Sequence, residues 1–176
     1  MTHFSISLCN YLHSRFLART AYLEVNTTHA IGTLSPEKDP TIPFRRKGVR
    51  YYPDVLLSEL PGRLGLHHKY RVLDFGVLTP YTLVEFARCD LCIVLTNVSI
   101  WKDRQLARFL EETKLTNLGK DKKIKVCFLC QGDQKNDRKR ILRAYGIRVV
   151  PVPFLENPFQ VSSIYFGFFE QLWKQT

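Results

Sequence analysis

The chain has 176 residues, 45% of them hydrophobic and 24% charged, with 12 Phe, 8 Tyr and 2 Trp. This is enough apolar bulk for one globular domain, and it excludes a disordered tail or a fibre. Lys and Arg outnumber Asp and Glu by 26 to 16, giving a net charge of +10. No apolar run reaches the ~20 residues of a membrane span. The start, Met-Thr-His-Phe-Ser, has no basic stretch followed by an apolar one, so a signal peptide is not expected. Five Cys, an odd number, point to free thiols in a cytoplasmic protein rather than to a disulfide framework.

Along residues 2–17 (THFSISLCNYLHSRFL), Phe4, Leu8, Leu12 and Phe16 recur at every fourth position, which predicts an amphipathic helix with Thr2 as its own N-cap. RTAYLEVN (19–26) is predicted to be a strand. Residues 31–52 hold Pro36, Pro40, Pro43 and the basic run Arg45-Arg46-Lys47-Gly48, and read as an irregular loop with one short strand at 48–52. DVLLSEL (54–60) predicts a short helix stopped by Pro61-Gly62. YRVLDFG (70–76) is a strand leading to an acidic residue and a glycine, and 82–87 is a short helix. LCIVLT (91–96) is apolar on both sides, as buried parallel strands are. Ile100–Lys114 is predicted to be a helix with Trp101, Leu106, Phe109 and Leu110 on one side. A strand at 124–130, a basic helix at 136–145 ended by Gly146, a strand at 147–152 and a helix at 161–173 complete the chain. Strands alternating with helices in this way predict an α/β fold, a three-layer sandwich with a mostly parallel sheet, in a single domain over 1–176.

Cys89-Asp-Leu-Cys92 and Cys127-Phe-Leu-Cys130 have the spacing of zinc ligands. The second pair lies inside an apolar strand, where residues three apart point to opposite faces, so buried small hydrophobes are the better reading. The five His stand apart from any ligand partner at a useful spacing, and no Ser sits in a GxSxG elbow. Asp74 is delivered to the carboxyl end of a strand, the edge where open α/β sheets bind ligands. A carboxylate there holds Mg²⁺ beside a nucleotide phosphate, or simply caps the next turn. The basic residues Arg45, Arg46, Lys47, Lys120, Lys122, Lys123, Arg138, Lys139, Arg140 and Arg143 suit either a patch for nucleic acid or anionic lipid, or a solvated surface. The aromatic segment 164–173 has few cations on its polar face, which favours core packing over membrane docking.

Read in order, these pieces resemble the ParA/MinD family of P-loop ATPases, and within it the TadZ/CpaE branch associated with pilus assembly. THFSISLCNYL is similar to the helix after the family's phosphate loop, and the resemblance puts Thr2 in the place of the Mg²⁺-binding Thr. AYLEVN resembles the second strand, with Glu24 as the acidic residue near the phosphates. VLDFG is similar to the Walker B strand, with Asp74 as its carboxylate. CFLCQGD looks like the strand whose exit touches adenine, implying Gln131, and VVPVPFLENPF resembles the loop that packs on the base, implying Pro153. The glycine-rich phosphate loop (Walker A) and its preceding strand are not in the sequence. Two explanations stand: the natural protein is longer, with that loop encoded in frame upstream, or the chain is a relative that keeps only the fold. The resemblance implies a P-loop NTPase-like fold and an ATP-dependent homodimer, with ATP and Mg²⁺ bound if the loop exists, positioning a pilus or secretion machine. The alternatives are a pseudo-ATPase module that binds a protein partner, and a basic nucleic-acid-binding domain.

Overall fold

The structure, a computed structural model, describes residues 1–65, 67–115, 125–132 and 135–174. Its strands are β1 (Thr20–Glu24), β2 (Phe44–Arg46), β3 (Val49–Tyr52), β4 (Tyr70–Asp74), β5 (Leu91–Leu95), β6 (Lys125–Gln131) and β7 (Val149–Val152). Its α-helices are α1 (Thr2–Phe16), α2 (Leu60–Leu64), α3 (Pro80–Phe86), α4 (Asp103–Thr113), α5 (Lys135–Tyr145) and α6 (Phe166–Lys174). The fold class is α/β with mostly parallel strands. The strands form two sheets, in the orders β2-β3-β1-β4 and β5-β6-β7, and every pairing except β2 with β3 is parallel. The chain divides into two compact units, Met1–Leu78 with Leu155–Phe169, and Thr79–Phe154 with Glu170–Thr176.

In the first unit, α1 packs on one face of the four-stranded sheet. Tyr22, Phe44, Val49 and Tyr51 from that face meet Ile6 and Cys9 of the helix in one apolar cluster. The opposite side of α1 meets aromatic rings, with Tyr11 stacked on Phe169 at 4.7 Å and edge-on to Phe166 at 5.2 Å. Phe4 through Leu12 are consequently all buried. The helix is therefore enclosed rather than amphipathic over this stretch, contrary to the pattern expected from its sequence. Ser5, Ser7 and Asn10 are compatible with enclosure because each bonds back to a carbonyl of the preceding turn. The Ser7 hydroxyl donates to the His3 carbonyl at 2.9 Å, and Asn10 Nδ2 donates to the Ile6 carbonyl and to Tyr51 Oη, both at 3.0 Å. Met1, not Thr2, is the N-cap, and no side chain caps the helix.

The basic run expected to be loop is instead the turn of a hairpin. Arg45 and Arg46 belong to β2, and Lys47-Gly48 form the two-residue connection to β3, both with positive φ as such tight hairpins require. Gly48 is doubly constrained, since an added Cβ would lie 2.0 Å from His13 Nε2. That ring is itself fixed by a 2.9 Å hydrogen bond between Nδ1 and the Ala18 carbonyl. Pro61 and Gly62 fall inside α2 instead of stopping a helix before it, because the first turn of a helix does not need the proline N–H.

The second unit is built on β6, whose Cys127, Phe128, Leu129 and Cys130 are all buried between β5 and β7. Thr79 and Thr82 form a reciprocal capping box at the start of α3. Leu106 and Leu110 are the buried residues of α4, while Trp101, expected on the same side, is 89% exposed because a 3₁₀ turn over Ile100–Lys102 breaks the helical register ahead of Asp103. Arg140 joins α5 to this region through an ion pair with Asp103 and a 2.8 Å hydrogen bond to the Val98 carbonyl. Gly146, with φ +69°, donates its N–H to Leu142 O at 2.9 Å, the C-cap expected of it. Ile124, the expected first residue of β6, lies outside the described residues, as do Lys120, Lys122 and Lys123.

Replacing Gly48 by Ala should destabilise the protein by at least ~1 kcal/mol, since a side chain meets both positive φ and the His13 ring. Urea unfolding of the two proteins measures this, and equal midpoints would contradict the packing described.

Candidate functional site

In the parallel register of β1 and β4, Glu24 stands directly beside Asp74, so the two carboxylates share the carboxyl ends of neighbouring strands. Alternation along the strands puts both on the face that carries α1, together with Tyr22. Glu24 is completely buried and Asp74 is 1% exposed. Asp74 Oδ2 accepts from Tyr22 Oη at 2.9 Å, and Oδ1 accepts from the Gly76 N–H at 3.0 Å. Gly76 has φ +60°, and a Cβ there would lie 2.9 Å from Asn26 Cβ, so glycine lets the chain turn back onto the carboxylate.

Thr2, in the first turn of α1, has its side chain beside the Tyr22 phenol and acts to lower the phenol's pKa, against the larger raising effects. Burial first, and then the charge of Asp74, push the Tyr22 phenol far above its ordinary range. The phenol therefore keeps its proton and serves Asp74 as a permanent donor. Glu24 Oε1 accepts from the Ile31 N–H at 3.1 Å, while Oε2 is buried with no hydrogen-bond partner. The backbone is tied in as well, with Val55 N–H donating to Glu24 O at 2.8 Å and Val25 N–H to Asp74 O at 2.9 Å.

Three of the residues singled out from sequence, Thr2, Glu24 and Asp74, thus come together in the first unit. Gln131 and Pro153 belong to the second. Gln131 ends β6 opposite Val152 of β7, is exposed, and Pro153 follows directly, half-buried. The sequence reading missed Tyr22, which links Thr2 to Asp74. Its only sequence signal is that it stands two positions before Glu24 and so shares that residue's face of the strand.

Hydroxyl and carboxylate oxygens are the right donors for Mg²⁺. As arranged, however, both Asp74 oxygens already accept protein hydrogen bonds, and the carboxylate has almost no exposed surface. This cluster fits a hydrated ion poorly without rearrangement of Tyr22.

The paired cysteines are thiols packed into the structure. Cys92 Sγ lies 3.0 Å from the Phe86 carbonyl, and the Sγ of Cys127 lies 3.7 Å from the Leu172 carbonyl. No group of His, Cys, Asp and Glu suited to a metal ion occurs among the described residues. Burial raises Cys89 to about 11 and Cys92 to about 12, and also raises Cys127.

No protein-family model matches the chain, and no curated protein matches it. Among solved structures, a plasmid partition protein from Borrelia burgdorferi has a similar fold, with a TM-score of 0.57 over 98% of this chain and 90% of that one. The two are 14% identical, so the likeness extends to the fold and no further. No helix among the described residues is long and apolar enough to cross a membrane.

Two measurements test this geometry. Tyr22→Phe removes the donor to Asp74 Oδ2 and should cost ~1–3 kcal/mol of stability in urea unfolding. The thiols of Cys89 and Cys92 should react with a disulfide reagent at pH 8 at least ~100-fold more slowly in the folded than in the unfolded protein, because so little thiolate is present there. That folded-state reaction should quicken as pH rises towards their raised values.

Proposed function

We propose that this chain is a ParA/MinD-like protein that works as a pseudo-ATPase: a module that keeps the carboxylate edge of a nucleotide site as internal scaffolding and acts by binding a protein partner. The observation that carries this reading is the enclosure of Asp74. An aspartate that orients Mg²⁺ through water must turn an oxygen towards the phosphates. Here one oxygen takes the Tyr22 phenol, the other takes the Gly76 amide, and the residue is buried. The partition-protein-like fold supports the family half of the reading.

A second reading is favoured by one atom. Glu24 Oε2 is buried without a partner, and an acceptor so placed invites a donor such as a metal-bound water. On that reading the protein binds ATP and Mg²⁺, with Thr2 and Asp74 towards the metal and Glu24 beside the phosphates. It would then act as an ATP-dependent dimer of the TadZ/CpaE kind, positioning a pilus or secretion machine.

Thermal unfolding with and without Mg-ATP separates the two. The first reading expects the same melting temperature. The second expects a rise equivalent to about 2.7 kcal/mol when ATP is present at 100 times its dissociation constant. A rise of that kind that Asp74→Asn abolishes would overturn the pseudo-ATPase reading.

A further inference from the structure

At the amino ends of the strands in the same unit, and on the face away from α1, arginines are aligned in register. Arg45 of β2 pairs with Arg50 of β3, Arg50 with Ala21 of β1, and Ala21 with Arg71 of β4. Residues in register on neighbouring strands share a face, so the three arginines stand in one rank. Ala21, in the middle, is fully buried, while Arg50 and Arg71 are half-buried and Arg45 is exposed. Arg19 lies just before β1 and His68 just before β4, held close by Lys69 N–H donating to the Arg19 carbonyl at 2.9 Å.

We propose that Arg19, Arg45, Arg50 and Arg71, together with His68, form a binding site for a short chain of linked phosphates. Guanidinium groups match phosphate oxygens in geometry and keep their charge at all ordinary pH values. Among the described residues no carboxylate pairs with Arg19, Arg45 or Arg50. The rank crosses three strand spacings, roughly 14 Å from β2 to β4 at ~4.8 Å each, which is wider than a single phosphate and suits two or three in line. His68 supports the site: its Nε2 lies 3.1 Å from Tyr52 Oη, and its Nδ1 is buried with no partner. Burial, and then the charges of Arg71, Arg19, Arg50 and Arg45, hold the imidazole below its ordinary range. Four cations therefore act on this ring, and an anion placed among them relieves that repulsion.

A single-stranded nucleic acid is the poorer occupant. Its binding sites add exposed aromatic platforms for the bases, whereas Tyr52, the tyrosine beside the cluster, is 6% exposed and covered by the Arg63 guanidinium at 5.4 Å. The site is separate from the carboxylate edge, which lies at the other end of the same strands. Its existence does not depend on whether ATP is bound there.

Titration calorimetry of the full chain with sodium tripolyphosphate tests the proposal. The expected result is saturable binding that Arg45→Gln/Arg50→Gln weakens at least tenfold, while Arg143→Gln, on the exposed face of α5 in the other unit, leaves it unchanged. Histidine resonances of the unaltered protein supply a second readout: tripolyphosphate should raise the titration midpoint of His68. The proposal is overturned if millimolar tripolyphosphate gives no binding, if Arg143→Gln weakens it equally, or if the His68 midpoint stays put. It is also overturned if an oligothymidylate binds and tripolyphosphate does not displace it, which would make the surface a nucleic-acid site.

Discussion

The first unit depends on a helix that can be buried on every side. Nine consecutive residues of α1, Phe4 to Leu12, lie between a sheet face and a set of aromatic rings. Burying such a helix is helped when its amide and hydroxyl side chains find partners inside, because each polar group left unpaired costs ~1–3 kcal/mol. Ser7 and Asn10 meet this condition by turning back to carbonyls one turn earlier, and Asn10 reaches on to Tyr51. The position of the helix in turn fixes everything near it. Its first turn brings Thr2 to Tyr22, its middle lies against Ala21 and Tyr51, and its last turn presses His13 against Gly48.

The same enclosure governs the carboxylates. Two acidic side chains at adjacent register positions repel, and burial makes the charged forms costlier still. Donors offset part of this: a phenol and a backbone amide for Asp74, a backbone amide for Glu24. The donors are local and neutral, without a lysine or arginine among them. A site that binds phosphates needs cations close by, and in this unit the aligned Arg45, Arg50 and Arg71 stand towards the opposite end of the strands. Along these strands Glu24 and Asp74 thus stand at the carboxyl ends, and Arg50 and Arg71 towards the amino ends.

Much of the fold was legible in the sequence because apolar runs and turn residues are local signals. β1, β4, β5, β6 and β7 all lie within the expected segments or one residue of them, and α1 and α5 match closely. The position of Asp74 was legible too, since a strand followed by a turn delivers its last polar residue to a known edge, whereas Glu24 was reached only through the family resemblance. What escaped depends on partners distant in the chain. The four-residue spacing of Phe4, Leu8, Leu12 and Phe16 suggested one apolar stripe, because nothing local shows that Ser5, Ser7 and Asn10 have buried partners. Charge disguised the β2–β3 hairpin, whose arginines read as a loop although Lys47-Gly48 is a workable hairpin turn. Tyr22 passed as an ordinary strand residue, since its role rests on the register between β1 and β4.

That hairpin also bears on how the protein behaves in company. β2 is the outermost strand of its sheet and only three residues long, and two of the three are arginines on opposite faces. One belongs to the arginine rank, and the other lies 4.0 Å over the Phe159 ring. A short, doubly cationic border strand is a poor template for the border of another molecule, since pairing would stack like charges at strand spacing. The residues that give this sheet its affinity for anions therefore also discourage it from growing by edge-to-edge addition of further copies.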